Sequence, residues 1–213
     1  MKPSSNTCEP LVEHVTTNAD IILAALQNRP EAYLVGIAGV PGSGKTTLCR
    51  ELKQRRPDAV VVPMDGYHLP RSRLGAEDLR RRGALHTFDA AAFRADIETL
   101  HGTRTALFPE FDHAEKDPRP GAIRVTPSAP LVFVEGIYVL MRDWQVEPLL
   151  DLKVFLDCDL DTVVERLAAR HVACGLASTL EEGRRRALKN DRVNSLEILA
   201  DGCRERADLC LRT

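Results

Sequence analysis

A glycine-rich segment near the start of the chain restricts its possible folds more than any other feature. The segment reads Gly39-Val40-Pro41-Gly42-Ser43-Gly44-Lys45-Thr46. Positions 33–38 before it are an apolar run rich in β-forming residues, and positions 46–52 after it are typical of a helix. The residues fit the pattern G-x-x-x-x-G-K-[ST] in full, in the strand-loop-helix setting that this pattern requires. The alternative is a chance glycine-rich turn, which is not expected to satisfy both conditions.

Such a segment predicts a site for a polyphosphate. Glycines let the loop wrap with its N–H groups pointing inward, and the following helix adds its positive N-terminal end. Lys45 supplies a mobile positive charge for the β- and γ-phosphates, and the Thr46 hydroxyl is expected to be a Mg²⁺ ligand. ATPases, GTPases and kinases share this site, so it does not identify the reaction. The predicted ATP-binding residues are Gly39, Val40, Pro41, Gly42, Ser43, Gly44, Lys45, Thr46 and Thr47.

The bulk properties favour one ordinary globular domain. A length of 213 residues is enough for one well-buried α/β domain and too short for two large ones. The formal net charge of -2 argues against a general nucleic-acid binder, which needs an excess of Lys and Arg. The sequence shows no targeting segment or long apolar stretch and no zinc-ligand spacing. We therefore expect a cytoplasmic protein without a membrane or nucleic-acid partner, and a homodimer remains open.

The remaining apolar runs indicate a parallel sheet. Positions 59–63, 131–134 and 152–156 are short and predominantly apolar, as buried parallel strands are, and 207–211 is a further candidate. Helical candidates at 90–100 and 160–170 alternate with these strands, which predicts a sheet covered on both faces. An amphipathic helix is expected at 11–26. The Pro-rich stretch 108–130 is interpreted as an irregular surface excursion.

Two acids end predicted strands, where sheets of this kind bind ligands. Asp65 follows the second strand directly, and its carboxylate could accept a proton from a hydroxyl that attacks the γ-phosphoryl group. Its alternative role is a helix cap or a solvated loop residue. Glu135 follows four apolar residues and is interpreted as an acid linked to Mg²⁺, with Asp65 as a further candidate near the metal. The alternative for Glu135 is a strand end that simply meets water.

A pair of arginines is the candidate for charge neutralisation during phosphoryl transfer. Arg166 and Arg170 are four apart on a predicted helix, so they share a face and could both reach phosphate oxygens. The alternative is an exposed helical face with ion pairs to residues such as Glu165.

In these motifs, the chain from position 33 onward resembles the uridine kinase, phosphoribulokinase and pantothenate kinase group of P-loop kinases. The resemblance rests on the glycine-rich loop and on the order and spacing of five further motifs. These motifs are Met64-Asp65-Gly66-Tyr67-His68, Phe88-Asp89, Phe108-Pro109-Glu110-Phe111-Asp112, Val134-Glu135-Gly136, and Asp161-Thr162 leading to Arg166 and Arg170.

The resemblance implies an α/β three-layer sandwich with a five-stranded parallel sheet in the order 2-3-1-4-5 and a helical lid. It implies that Asp65 is the catalytic base and that Glu135 lies near Mg²⁺. The other residues expected to act in catalysis are Lys45, Arg166 and Arg170. We expect residues 1–30 to form a helix packed on a kinase domain at 31–213, with an acceptor-binding insertion at about 66–128 and a lid at about 160–192. The residues expected to bind the acceptor are Tyr67, His68, Asp89, Phe111, Asp112 and His113.

The predicted function is an ATP-dependent kinase for a hydroxyl of a small metabolite. The segment Asp65-Gly66-Tyr67-His68 is closer to the Asp-Gly-Phe of pantothenate kinases than to the Asp-Ser-Phe-Tyr of uridine kinases. This difference leaves nucleoside, pantothenate-like and sugar-like acceptors open. The alternative function is a regulatory or partner-binding P-loop NTPase without small-molecule kinase activity.

Overall fold

A computed structural model describes residues 17–29 and 33–213. Its first helix, α1 at Asn18–Gln27, begins at Thr17 with a capping box that Asp20 completes. The start of the helix expected at 11–26 lies outside the described residues. Buried Ile22 of α1 belongs to the same apolar cluster as Leu52 of the helix after the glycine-rich loop. The amphipathic segment therefore packs on the domain through its apolar side.

A five-stranded parallel sheet forms the centre of the domain. Its order is β2-β5-β1-β6-β7, and each neighbouring pair is parallel. When the strands of this sheet alone are numbered, the order is the expected 2-3-1-4-5. The strands are β1 at Leu34–Gly39, β2 at Val60–Pro63, β5 at Val132–Glu135, β6 at Leu152–Asp157 and β7 at Leu209–Arg212.

Helices cover both faces of the sheet. Alternate side chains of a strand point to opposite faces, and on β5 Val134 belongs to one buried apolar cluster while Phe133 belongs to the other. This confirms the predicted α/β sandwich, because every central strand is apolar on both sides. The helices after α1 are α2 at Lys45–Arg55, α3 at Ala76–Arg80, α4 at Ala90–Thr103, α5 at Leu160–Ala173, α6 at Leu180–Arg186 and α7 at Arg192–Ala200.

The Pro-rich stretch after α4 is not irregular, contrary to the expectation. It forms an antiparallel hairpin of β3 at Ala106–Asp112 and β4 at Asp117–Val125. Prolines are tolerated because a two-stranded ribbon consists of edge strands only, and Pro109 sits where the pairing register shifts. The Asp112 carboxylate accepts hydrogen bonds from two backbone N–H groups of the hairpin turn.

The segment expected to be the lid is helical throughout most of its length. A short π-helix at Ala187–Asp191 joins α6 to α7, and such π segments occur often at functional sites. Among the described residues, no helix has both the length and the apolar character needed to cross a membrane.

Candidate active site

The glycine-rich loop lies between the carboxyl end of β1 and the start of α2. Gly44 has φ +94°, a conformation that favours glycine, and a Cβ there would point into open space. The N–H groups of the first turn of α2 have no intrahelical acceptors, since a helix leaves its first four donors free. Together these features form a cradle of backbone donors for an anion such as a phosphate.

Lys45 is the buried cation of this cradle. Its ammonium group donates to the carbonyl oxygens of Gly39 and Val40, both at 3.0 Å. Burial lowers the pKa of Lys45 to about 8, and the nearby carboxylates of Glu135 and Asp65 oppose that shift. The lysine is therefore close to two acids, and within residues 17–29 and 33–213 no carboxylate is in direct contact with it, which leaves its charge available to an anionic ligand.

Thr46 and Glu135 form the oxygen-rich part of the site. Glu135 ends β5 next to β1 and β2, pairing in register with Ile37 and Pro63. The Thr46 hydroxyl donates to Oε1 of Glu135 at 3.1 Å. Burial raises the pKa of Glu135, and the charge of Lys45 lowers it.

A hydroxyl and a carboxylate are suitable ligands for a hard divalent cation. The part of the chain that the structure describes contains no cluster of three or more His, Cys, Asp or Glu side chains able to hold a metal ion. Thr46 and Glu135 would thus supply only part of a coordination shell. That arrangement suits Mg²⁺, which usually keeps several waters and takes further oxygens from a bound phosphate.

Asp65 faces the loop across a cavity. It lies just after β2, in a short 3₁₀ helix at Met64–Tyr67. The cavity has a volume of about 420 Å³, and Asp65 lines it together with Lys45, Thr46 and Glu135. The adjacent Gly66 packs so closely on β3 that a Cβ would overlap the carbonyl oxygen of Pro109. That close approach fixes the backbone next to the candidate base.

Arg166 and Arg170 do not line this cavity together, contrary to the expectation from their spacing. Arg170 lines the cavity, and its charge acts on the pKa values of both Lys45 and Glu135. Arg166 instead reaches back to the Thr213 hydroxyl at 3.4 Å. It lines a separate cavity behind the glycine-rich loop. The two side chains share a helical face but extend to different sides of the loop.

Among the six residues expected to bind the acceptor, His68 alone lines the cavity with Asp65. Its Nδ1 lies 2.8 Å from the Asp65 carbonyl oxygen, and since a carbonyl only accepts, this nitrogen carries the proton. Burial lowers the pKa of His68. The ring is also stacked at 4.0 Å from Phe88, which lines the same cavity.

The other five residues expected to bind the acceptor do not line the cavity. Each of them has a contact that stabilises the local structure. The buried Tyr67 donates its hydroxyl to Asp96 at 2.6 Å. Asp89 caps α4 by accepting from the Ala92 N–H. Asp112 caps the hairpin turn, as described above. Phe111 and His113 form an edge-to-face pair, and Phe111 also contacts His68 and lies under the Arg82 guanidinium.

Several cavity residues were not predicted as site residues. They lie in two segments, one after α3 and one in the helical region around the π-helix. Asn194 donates to the Gly83 carbonyl oxygen at 3.0 Å and so connects the two segments. The added residues in these two segments are Arg82, Gly83, Phe88, His171, Arg186, Asn190, Asp191 and Asn194; the lining also includes Gly136, Ile137, Leu167 and Leu176.

One buried acid-base pair lies at the base of this helical region. His171 Nε2 is 3.4 Å from an Asp191 carboxylate oxygen. Burial raises the pKa of Asp191, and the imidazole of His171 opposes that shift. The motif Arg170-His171-Val172 and the nearby Asn190, Asp191 and Asn194 were visible signals in the sequence, whereas Arg186 is hidden in a run of three arginines.

Comparisons with known proteins agree with the observed fold. The model of the phosphoribulokinase / uridine kinase family matches residues 34–173. A Schizosaccharomyces pombe protein named "Putative uridine kinase C227.14" is 35% identical over 185 residues, covering 79% of this chain and 79% of that protein.

Two solved structures have the same fold. A "putative fructose transport system kinase" from Silicibacter sp. TM1040 has a TM-score of 0.80 at 31% identity, covering 92% of this chain and 99% of that one. Phosphoribulokinase from Rhodobacter spheroides has a TM-score of 0.65 at 13% identity, covering 86% of this chain and 70% of that one. The second similarity concerns the fold alone.

Proposed function

The chain belongs to the phosphoribulokinase / uridine kinase family, and on that premise we propose that it transfers the γ-phosphoryl group of ATP to a hydroxyl of a small metabolite with Asp65 as the base. One observation carries the proposal: Asp65 lines the same cavity as the glycine-rich loop, Lys45 and Glu135, and its charge acts on the pKa values of both Lys45 and Glu135. A cavity of about 420 Å³ leaves room for a small acceptor next to the phosphates.

The loop side of the cavity would bind ATP. Backbone N–H groups of the loop hold the phosphates, and the Lys45 ammonium moves from its carbonyl partners to the phosphate oxygens. Thr46 and Glu135, with Asp65 near them, would hold Mg²⁺, which supplies charge stabilisation for the phosphoryl oxygens when bound.

On the acceptor side, Asp65 orients the hydroxyl and removes its proton. The hydroxyl oxygen forms a bond to the γ-phosphorus while the bond to the β–γ bridging oxygen breaks, and the proton passes to the Asp65 carboxylate. ADP leaves with the electron pair of the broken bond. The cavity arginines Arg170 and Arg186 neutralise the charge of the migrating group, in place of the pair Arg166 and Arg170. Residues 160–192 would act as the lid that brings them there.

A screen for ATP-dependent phosphorylation tests this function. The purified chain is incubated with Mg²⁺, ATP and nucleosides, pantothenate-like compounds or sugars, and both ADP and the phosphorylated product are measured. We expect at least one acceptor to give product in equal amount to ADP. Hydrolysis of ATP that no acceptor accelerates would favour the regulatory NTPase instead. Against a GTPase, the sequence contains no Asn-Lys-x-Asp motif for guanine.

A further inference from the structure

A second cavity with an unbalanced charge adjoins the active site. It has a volume of about 320 Å³ and lies between α3 and the segment formed by α6 and the π-helix. We call it the basic cleft. Five cations and two acids line it, which leaves an excess of positive charge in a chain whose formal net charge is negative. The cations are Arg80, Arg81, Arg185, Arg186 and Lys189, and the acids are Glu77 and Glu182.

None of these five cations forms an ion pair with a carboxylate of residues 17–29 or 33–213. The neighbouring Arg184 differs, because it points out of the cleft and pairs with Glu165 through two hydrogen bonds of 2.7 Å. Like charges brought together without counter-charges repel each other. The cleft holds more cations than its two acids balance, and an anion bound there would reduce the mutual repulsion of these cations.

Arg81 is held in place by groups that leave its charge uncompensated. Its guanidinium donates to the Lys189 carbonyl oxygen and to the Asn190 side-chain oxygen, both at 3.2 Å. A further contact to the Asn194 side-chain oxygen is 3.4 Å long. All three acceptors are neutral. The cation is thus oriented before any ligand binds, which reduces the entropy cost of binding an anion.

The basic cleft shares two of its lining residues with the active-site cavity. Arg186 and Asn190 line both. The remaining cations, Arg80, Arg81, Arg185 and Lys189, line the cleft but not the cavity that contains Asp65. Stabilisation of the migrating phosphoryl group therefore does not explain them. A ligand that reaches Asp65 with one end and the cleft with the other would explain both features.

We propose that the phosphate acceptor carries an anionic group, a phosphate ester or a carboxylate, which binds in the basic cleft while its hydroxyl faces Asp65. This inference rests on the proposed kinase function and specifies the class of its acceptor. Guanidinium groups bind phosphate and carboxylate oxygens through paired hydrogen bonds, so a cluster of arginines suits either group. A free anion acting as an effector would use the same chemistry, and the experiments below separate the two.

The first experiment compares matched acceptors with and without the anionic group. Glycerol is compared with glycerate and glycerol 3-phosphate, and ribose with ribose 5-phosphate, in the ATP-dependent assay. We expect a charged member to exceed its neutral counterpart by at least about tenfold in kcat/KM, the effect of one charge-assisted hydrogen bond. Neutral acceptors that are phosphorylated as well as the charged ones would overturn the proposal.

The second experiment changes the cleft without touching the active-site cavity. Arg80→Gln and Arg185→Gln should each raise the KM of the charged acceptor by about tenfold. The KM of ATP and the kcat should stay near their original values. Arg184→Gln is the matched control, since it removes a neighbouring arginine that faces away from the cleft, and it should change none of these quantities. An unchanged acceptor KM in both cleft variants would contradict the inference.

A third measurement separates the cleft from the kinase function. Calorimetric binding of glycerol 3-phosphate and of inorganic phosphate is measured with the ATP site filled by a non-hydrolysable analogue. Binding of glycerol 3-phosphate that Arg80→Gln and Arg185→Gln weaken supports the cleft. If no acceptor is then phosphorylated, the kinase proposal fails while the anion site remains. Equal binding of inorganic phosphate without turnover of any charged acceptor would identify a free effector and overturn the acceptor proposal.

Discussion

The phosphate side and the acceptor side of the active-site cavity are built in different ways. On the phosphate side, the loop that ends β1 and the acid that ends β5 meet because their strands are neighbours in the sheet. On the acceptor side, the lining comes from three separate stretches, at 65–68, 82–88 and 186–194. The phosphate side is thus fixed by the sheet, whereas the acceptor side depends on contacts between connecting segments.

Hydrogen bonds hold those connecting segments together. The Gly83 carbonyl oxygen accepts from Tyr138 and from Asn194, both at 3.0 Å. Arg81 is bonded to the same helical region, as described above. The geometry of the acceptor side therefore depends on a few polar contacts between connecting segments, which the phosphate side does not need. ATP binding and acceptor choice can therefore be tested separately.

The largest expected effect is that of Asp65→Asn, which should slow transfer by orders of magnitude while leaving ATP binding intact. The variant removes the proton acceptor but keeps the size of the side chain. A general base contributes about 10²–10⁴-fold to rate, so kcat should fall by that range. The affinity for ATP, measured by calorimetry, should change little, because the loop and Lys45 are untouched. Unchanged turnover would refute the assignment of Asp65 as the base. It would also contradict the division of the cavity into a phosphate side and an acceptor side.

A smaller effect should distinguish the two arginines of α5. Arg170→Gln should lower kcat by about 10²-fold, the loss typical of one preorganised charge that faces the reacting group. Arg166→Gln should lower kcat far less, because its guanidinium lies behind the loop near Thr213. Steady-state kinetics of both variants provide the test. Equal losses of kcat would show that the sequence spacing predicted the roles better than the geometry does.

Much of the fold and of the phosphate side could be predicted from the sequence. The glycine-rich loop is contiguous, and its residues must occur at fixed spacing for the backbone to wrap around a phosphate. Asp65 and Glu135 each follow an apolar strand, so their place at the sheet edge follows from the strand pattern. Parallel strands with apolar side chains on both faces leave few alternatives for the core.

The acceptor side could be predicted only in part. Tyr67 and Asp89 stand in the motifs next to Asp65 and Phe88, yet one is tied to Asp96 and the other caps α4. Adjacency in sequence does not say which side chain turns toward the cavity. Arg186 comes from a run of arginines in which Arg184 faces Glu165 instead. These contacts join residues 29, 3 and 19 positions apart, and the sequence pattern does not specify which of them form.

The smallest predicted effect is a pH dependence of the affinity for ATP, which is bound on the phosphate side of the cavity. Burial lowers the pKa of Lys45 to about 8, although Glu135 and Asp65 act in the opposite direction and Arg170 reinforces the shift. A lysine is charged below its pKa, so the free protein loses this charge as the pH rises through about 8. The binding of ATP at the loop requires the charged form of Lys45, and this affinity is the quantity that changes. The affinity for ATP should therefore fall by about tenfold by about pH 9, one pKa unit above the midpoint.

Calorimetric titration of ATP over this pH range tests the prediction, with Lys45→Arg as the control. An arginine keeps its charge throughout the range, so the variant should bind ATP with a flat pH dependence even if its affinity is lower. Acceptor binding is a second control, because the groups that would hold the acceptor lie on the other side of the cavity. If ATP affinity in the original chain did not change between about pH 7 and about pH 9, Lys45 would not be the cation that the phosphates need, and the loop donors alone would carry the binding.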